Sequence, residues 1–366
     1  MRTLVAAANA AVGIENDRIV PSSGHFDAVF SIPDAELRPG LINAHEHLHR
    51  NHYGRLGAPP YINGFEWGRD IHTRYSDAIA LGRAVPRRQA LLRGAWKNIV
   101  AGVTTVVHHD AWEEAFDDDF PLRVAQVRNA HSLRHGTGLA AAAPTDATTA
   151  GVGPFAIHLA EGVDFAAAEE IRQLERQGLL NKDLLAVHCV GPDTDGVRRL
   201  RESGAAVVWC PTSNAFLFGR TASSELLEQG VDVLLGSDSL LSGLGTLLEE
   251  LRFARRLGVV SDDRLLDAVG AVAAARLGLP EPTLDCGARA DLAVFRQPVL
   301  QARVDDVALV IVAGVPRVVH PELAAGLGPW REWSELRQLR GVIRWVIDTS
   351  PTEAVGDPTT RLCADR

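Results

Sequence analysis

Residues 38–47, Arg-Pro-Gly-Leu-Ile-Asn-Ala-His-Glu-His, place two imidazoles at i, i+2 at the end of a short apolar run. Side chains alternate faces in an extended strand, so His45 and His47 project together while Glu46 points away. Two imidazoles side by side at a strand end can grip one divalent metal. A lone His-X-His pair is a weak signal in a chain with 13 histidines, and its weight depends on the residues downstream.

Three more segments have the same form. Phe155-Ala156-Ile157-His158 runs into Leu159-Ala160-Glu161, which sets a carboxylate three residues beyond a histidine. Leu184 to His188 is apolar up to its histidine, and Val233-Leu234-Leu235-Gly236-Ser237-Asp238 ends on an aspartate. A polar group at the end of a buried strand needs a partner, and a shared metal ion supplies one to all of them.

The elements that must position these groups alternate. Candidate strands at 40–45, 103–108, 154–159, 184–190, 205–210 and 232–237 are separated by amphipathic stretches such as 86–101, 164–178 and 193–203. That rhythm predicts parallel βα units and an α/β fold, a (β/α)8 TIM-like barrel with its chemistry at the C-terminal strand ends. The stretch 121–153 is too short for regular units, which leaves room for one trimmed or irregular βα unit. Residues 1–37 read as short strands that pair with β-rich sequence near 284–320 as a small β-sandwich built from both chain ends. The expected divisions are 1–37 and 284–320 (sandwich), 38–283 (hydrolase barrel) and 321–366, a helical tail carrying Trp330, Trp333 and Trp345.

Composition narrows the partners. A hydrophobic content of 46% with 23% charged residues fits a well-filled globular core. The net charge of −9, without a basic stripe, argues against nucleic acid. No apolar run approaches the ~18 residues that span a bilayer. The apolar stretch after Arg2 is short and interrupted by Asn9, so it reads as a strand and not as a secretory leader. Four scattered cysteines (Cys189, Cys210, Cys286, Cys363) form no Cys-X-X-Cys pair, as expected of reduced thiols in a cytoplasm.

Taken in order, Pro-Gly-Leu-Ile-Asn-Ala-His-Glu-His, Ile-His-Leu-Ala-Glu, Val-His-Cys-Val-Gly, Cys-Pro-Thr-Ser-Asn and Leu-Gly-Ser-Asp resemble the motifs of the amidohydrolase superfamily. The resemblance is greatest to its cytosine, guanine and adenosylhomocysteine deaminase and triazine chlorohydrolase branch, and it runs from about residue 38 to 295. It implies that His45, His47, His158 and Asp238 are metal ligands and that His188 contacts the attacked group. It further implies that Glu161 carries a proton to a ring nitrogen and that Asp238 accepts one from the attacking water. Neither Lys97 nor Lys182 is placed to serve as the carboxylated lysine of two-metal members. One divalent metal is therefore expected, Zn²⁺ first with Fe²⁺ as the alternative.

His109 ends its strand at the same mouth, Trp67 lies in a loop placed to roof it, and Asn214 follows another strand; these are the candidate substrate contacts. The expected activity is hydrolysis of a C–N bond in a small nitrogen heterocycle or amidine, above all deamination. The alternatives are a cyclic amide, a carbon–halogen or N-alkyl leaving group in the same pocket, or a non-catalytic scaffold. The resemblance also implies a small-molecule substrate and a homodimer, with no membrane partner.

Overall fold

The computed structural model describes residues 1–117, 119–133, 153–228 and 230–349. The first five strands are β1 (Arg2–Ala7), β2 (Ala11–Glu15), β3 (Arg18–Val20), β4 (Ala28–Ile32) and β5 (Glu36–Pro39). Next comes a parallel series: β6 (Leu41–Glu46), β7 (Val103–His108), β8 (Arg123–Val124), β9 (Arg128–Ser132), β10 (Phe155–Leu159), β11 (Leu184–His188), β12 (Ala206–Trp209) and β13 (Asp232–Leu235). The chain closes with β14 (Leu292–Phe295), β15 (Val307–Val312), β16 (Val315–Val319), β17 (Ser334–Leu339) and β18 (Val342–Ile347).

The parallel strands form a three-stranded sheet, β6-β7-β8, and a five-stranded sheet, β13-β12-β11-β10-β9. Ile42, Ala44, Ala156, Leu185, Val187, Val208 and Leu234 form one apolar cluster. A larger cluster takes the alternate residues, Leu41, Ile157, Leu184, Val207 and Leu235, together with helix residues such as Leu91, Leu174 and Leu200. Burial on both faces is why these strands read as unbroken apolar runs, and each Leu or Val contributes ~1.5–3 kcal/mol.

The two sheets approach each other at the β13/β6 edge, where Asp238 N–H donates to His45 O at 3.1 Å. No ladder joins β13 to β6 among the described residues, so a hydrogen-bonded ring is not closed there.

Helices cover the parallel strands and are stopped by local chemistry. Asp164 and Asp193 cap Phe165–Arg176 and Thr194–Ser203 by accepting from Ala167 N and Gly196 N, both at 2.8 Å. Gly204, at φ 72°, ends the second in a left-handed cap. Among the described residues no helix is long and apolar enough to cross a membrane.

Both chain ends supply the remaining sheets, ordered β3-β2-β1-β4 and β17-β18-β16-β15-β14-β5. Val5, Ile14, Phe30, Leu37, Leu292, Leu309 and Ile311 form one apolar cluster drawn from both. The region after residue 320 differs from the expected helical tail. A 3-10 segment (Pro321–Trp333) is followed by the β17–β18 hairpin, with Trp345 on a strand. Val342, Ile343, Val346 and Ile347 favour a strand, and Arg340 (φ 50°) with Gly341 (φ 87°) forms the reversal. Residues 350–366 of that expected tail lie outside the described residues.

In the compressed region β8 and β9 are separated by three residues without a helix; β8 pairs with β7 and β9 with β10. Residues 134–152, between β9 and β10, lie outside the described residues.

Candidate metal centre and active site

The strand ends converge on one point. The His45 ring centroid lies 5.0 Å from those of His47 and His158 and 5.5 Å from that of His188. The Nε2 atoms of His45 and His158 are 3.3 Å apart. Asp238 Oδ1 stands 3.8 Å from His45 Nε2 and 3.9 Å from His47 Nε2. Ligand atoms of His45, His158 and His188 lie within 4.8 Å of one another, as do those of His45, His47 and Asp238. All five residues are buried.

Gly236 permits this approach. A Cβ there would stand 2.6 Å from His45 Cβ and 3.0 Å from Cys210 Sγ, so only glycine lets the end of β13 lie against β6.

Electrostatics favour a cation at the centre. Burial holds the imidazoles of His45, His47 and His158 well below their ordinary pKa; the surrounding histidines push in the same direction, as does Arg50 for His45 and His47. They are neutral at pH 7 and present lone pairs. Their Nδ1 atoms are buried without a hydrogen-bond partner among the described residues. Desolvated nitrogens packed around a carboxylate fit the donor set of one divalent metal.

The surrounding polar groups orient these side chains. Asp238 Oδ2 accepts from Ser213 Oγ at 2.8 Å and Ser242 Oγ at 2.9 Å, and Oδ1 accepts from Ser239 N at 2.7 Å. His188 Nδ1–H donates to Asn214 Oδ1 at 2.8 Å, which leaves the lone pair on Nε2. Glu161 Oε1 lies 3.7 Å from that Nε2. Burial raises the Glu161 pKa and the charge of Asp238 raises it further, against the opposing pull of His188 and Arg50. Gly64 opens the space, since a Cβ there would meet Glu161 Oε2 at 2.6 Å.

The three candidate substrate contacts have different surroundings. The His109 ring lies 4.3 Å from that of His158 and 4.9 Å from that of His45, and its Nε2–H donates to Ala130 O at 3.0 Å. Burial lowers its pKa to about 4. Asn214 is fully buried, and its amide Nδ2 turns back to His188 O at 3.4 Å, so both polar atoms serve His188. Trp67 packs with Tyr61, Leu217 and Phe218 and gives its indole N–H to Leu56 O at 2.9 Å.

Sequence reasoning missed Ser213, Ser242 and His131, whose ring lies 4.8 Å from that of His158. Ser213 sits inside the quoted Cys-Pro-Thr-Ser-Asn motif, and Ser242 comes four residues after Asp238; nothing in the sequence ties either to the aspartate.

A second group, His49, His108 and Asp110, also has metal-like spacing. His49 Nε2 already accepts from Arg50 Nε and His108 Nδ1 from Leu48 N, both at 3.3 Å, and Arg87 Nη2 stands 3.8 Å from Asp110. Two guanidiniums beside it disfavour a dication.

Residues 154–317 match the amidohydrolase family model. Over 83% of its length the chain is 27% identical to a 5-methylthioadenosine/S-adenosylhomocysteine deaminase of Moorella thermoacetica, of which it covers 88%. In fold it is similar to a zinc-bound adenosine deaminase of Xanthomonas campestris, with TM-score 0.61, 19% identity and coverage of 90% of this chain and 98% of that one. An atrazine chlorohydrolase of Arthrobacter aurescens complexed with zinc gives TM-score 0.65 at 17% identity, covering 87% of this chain and 95% of that one. The chain thus carries an amidohydrolase family domain over residues 154–317 and has, over most of its length, a relative that is named as a deaminase.

Proposed function

We propose that the protein is a metal-dependent aminohydrolase that deaminates a small nitrogen heterocycle, with adenosine-type 6-aminopurines as the first substrates to try. The observation that carries this reading is the Glu161 carboxyl, with its raised pKa, standing 3.7 Å from His188 beside the cluster of His45, His47, His158 and Asp238. The proposed ligands are those four residues. A divalent metal bound there, Zn²⁺ before Fe²⁺, supplies Lewis acidity and lowers the pKa of a coordinated water.

The protein's own groups divide the proton work. Asp238, with Oδ2 held by two serines, accepts a proton at Oδ1. Glu161 donates one to the substrate nitrogen, and raising its pKa toward the working pH suits that role. His188 Nε2, its tautomer fixed by Asn214, stands ready to accept a hydrogen bond from the reacting centre. His109 and Trp67 are proposed as pocket walls, and Asn214 as the residue that shapes the wall through His188.

The proposal extends to the architecture: the parallel strands curl into a TIM-like barrel, and the two terminal sheets pack as a sandwich. The approach of β13 to β6 at His45 and the apolar cluster common to the terminal sheets support this. A homodimer in the cytoplasm completes the reading, and free cysteines at 189, 210 and 286 suit a reducing compartment.

The test is product release from the zinc-loaded protein on a panel of purine, pyrimidine, pterin and triazine substrates. Ammonia release supports the proposal. Chloride, alkylamine or ring-opened product without ammonia would shift the assignment to another leaving group or a cyclic amide. Inertness despite stoichiometric metal would favour the scaffold.

A further inference from the structure

Beneath the strand ends lies a second buried polar cluster that takes no part in the proposed chemistry. Lys97, on the helix Arg87–Ile99, is 3% exposed, and its ammonium lies 2.7 Å from Glu46 Oε2. It also donates to Ser237 Oγ at 3.1 Å and to Asp238 O at 3.0 Å. Glu46 Oε2 further accepts from Asn98 Nδ2 at 2.9 Å and Ser237 Oγ at 3.0 Å, and Oε1 accepts from Asn51 Nδ2 at 3.0 Å.

Stability alone does not account for this pair. Desolvating two charges costs about as much as their attraction returns, and apolar residues of similar volume often do as well. What the pair joins is more informative. Glu46 lies between His45 and His47, and Asp238 has the left-handed φ of 51°, a conformation that costs a non-glycine residue about 1–3 kcal/mol. Its N–H is tied to His45 O at 3.1 Å and its C=O to Lys97. The main chain of Asp238 is thus clamped on both sides.

We infer that Lys97 is a positioning residue that fixes the spacing between the His45/His47 pair and Asp238 before a metal arrives. The inference rests on the metal-site reading above.

Lys97→Met and the charge-neutral pair Lys97→Met/Glu46→Gln test it. Zn²⁺ affinity is read by competition with a chromophoric chelator, Co²⁺ coordination by its visible d–d absorption, and folding by circular dichroism with thermal unfolding. The expected result is a double variant that unfolds cooperatively, binds Zn²⁺ at least about 10-fold more weakly and has a shifted Co²⁺ band. Wild-type Zn²⁺ affinity with an unchanged Co²⁺ band in that variant overturns the inference and leaves the metal site intact. A double variant that cannot fold also overturns it, because the pair would then serve stability. Failure of the wild type to bind metal refutes the metal site itself and this inference with it.

Discussion

Replacing Gly236 by alanine tests how the metal centre is assembled without substituting a proposed ligand. The added Cβ would fall 2.6 Å from His45 Cβ and 3.1 Å from His45 N. Carbon atoms meet at ~3.5 Å or more, so the end of β13 must retreat by about 1 Å. The retreat strains two backbone bonds, Gly236 N to Trp209 O at 2.9 Å and Asp238 N to His45 O at 3.1 Å. Overpacking of this kind costs about 1–3 kcal/mol, and a lost backbone bond adds about 1 kcal/mol.

Stability of the metal-free protein should therefore fall by about 2–4 kcal/mol. Asp238 Oδ1 would be carried away from His45 and His47, and metal affinity should drop by about 10–100-fold, as when a ligand's supporting contacts are lost. Denaturant unfolding of the metal-free protein and competition with a chromophoric chelator measure the two effects separately. Gly54→Ala, where a Cβ meets nothing within 4 Å, is the matched control. Wild-type Zn²⁺ affinity in Gly236→Ala would mean that this contact does not set the position of Asp238, and the argument from close approach would fall.

Asn214→Ala frees His188 Nδ1 and releases its tautomer, so activity should drop by about 10–100-fold while Zn²⁺ stoichiometry stays at one; an unchanged rate would show that the tautomer does not matter. Glu161→Gln should lower kcat by about 10²–10⁴-fold. Because burial raises the Glu161 pKa, the wild-type rate should fall as rising pH removes its proton, and the residual rate of the variant should lack that limb. Glu250, fully buried against Thr212, is pushed up to about 8 by burial against the ordinary value of 4.5. Its contribution to stability is complete below about pH 4.5, declines as pH rises to about 8 and is flat above, since the folded state holds a proton that the unfolded chain has released. Glu250→Gln should flatten that part of the melting-temperature profile, and parallel wild-type and variant profiles from pH 5 to 8 would refute the assignment.

Much of the fold is legible in the sequence because the parallel strands are buried on both faces and each ends on a conspicuous polar residue. Apolar runs ending in His47, His158, His188 and Asp238 mark both the strands and the ends that carry chemistry. The supporting contacts are not legible. Lys97 is the one buried lysine of two, and only the packing of its helix beneath β6 brings its ammonium to Glu46 and Asp238. Serines are common after strands, so Ser213 and Ser242 carry no signal until the fold sets both on one carboxylate oxygen. The tail misleads for a different reason. Trp330 and Trp333 have helical spacing, which suggests a helix running on through 334–347, but the β-branched residues and the Arg340-Gly341 reversal decide the matter there.

Backbone conformation points to the same site as the side chains. Among the described residues seven non-glycine positions have positive φ, and four of them, Ala160, His188, Cys189 and Asp238, lie at the ends of β10, β11 and β13. The β6–β7 ladder also changes register between Asn43 and Glu46, and the β9–β10 ladder between Ile157 and His158, while β10–β11 stays in register through His158. Each left-handed residue costs about 1–3 kcal/mol and persists only where surrounding bonds over-determine it. Here those bonds are visible: Glu170 Oε2 accepts from Ala160 N at 2.9 Å, Asn214 holds His188, and His45 O with Lys97 holds Asp238. Regular strands would send alternate side chains to opposite faces and hold the chain straight. Turning His188 and Asp238 toward one point requires the chain to break that alternation where each strand ends. Strain concentrated at these turns, and held by buried polar contacts, is what a preorganised metal centre requires; strain from loose packing would be scattered along the chain.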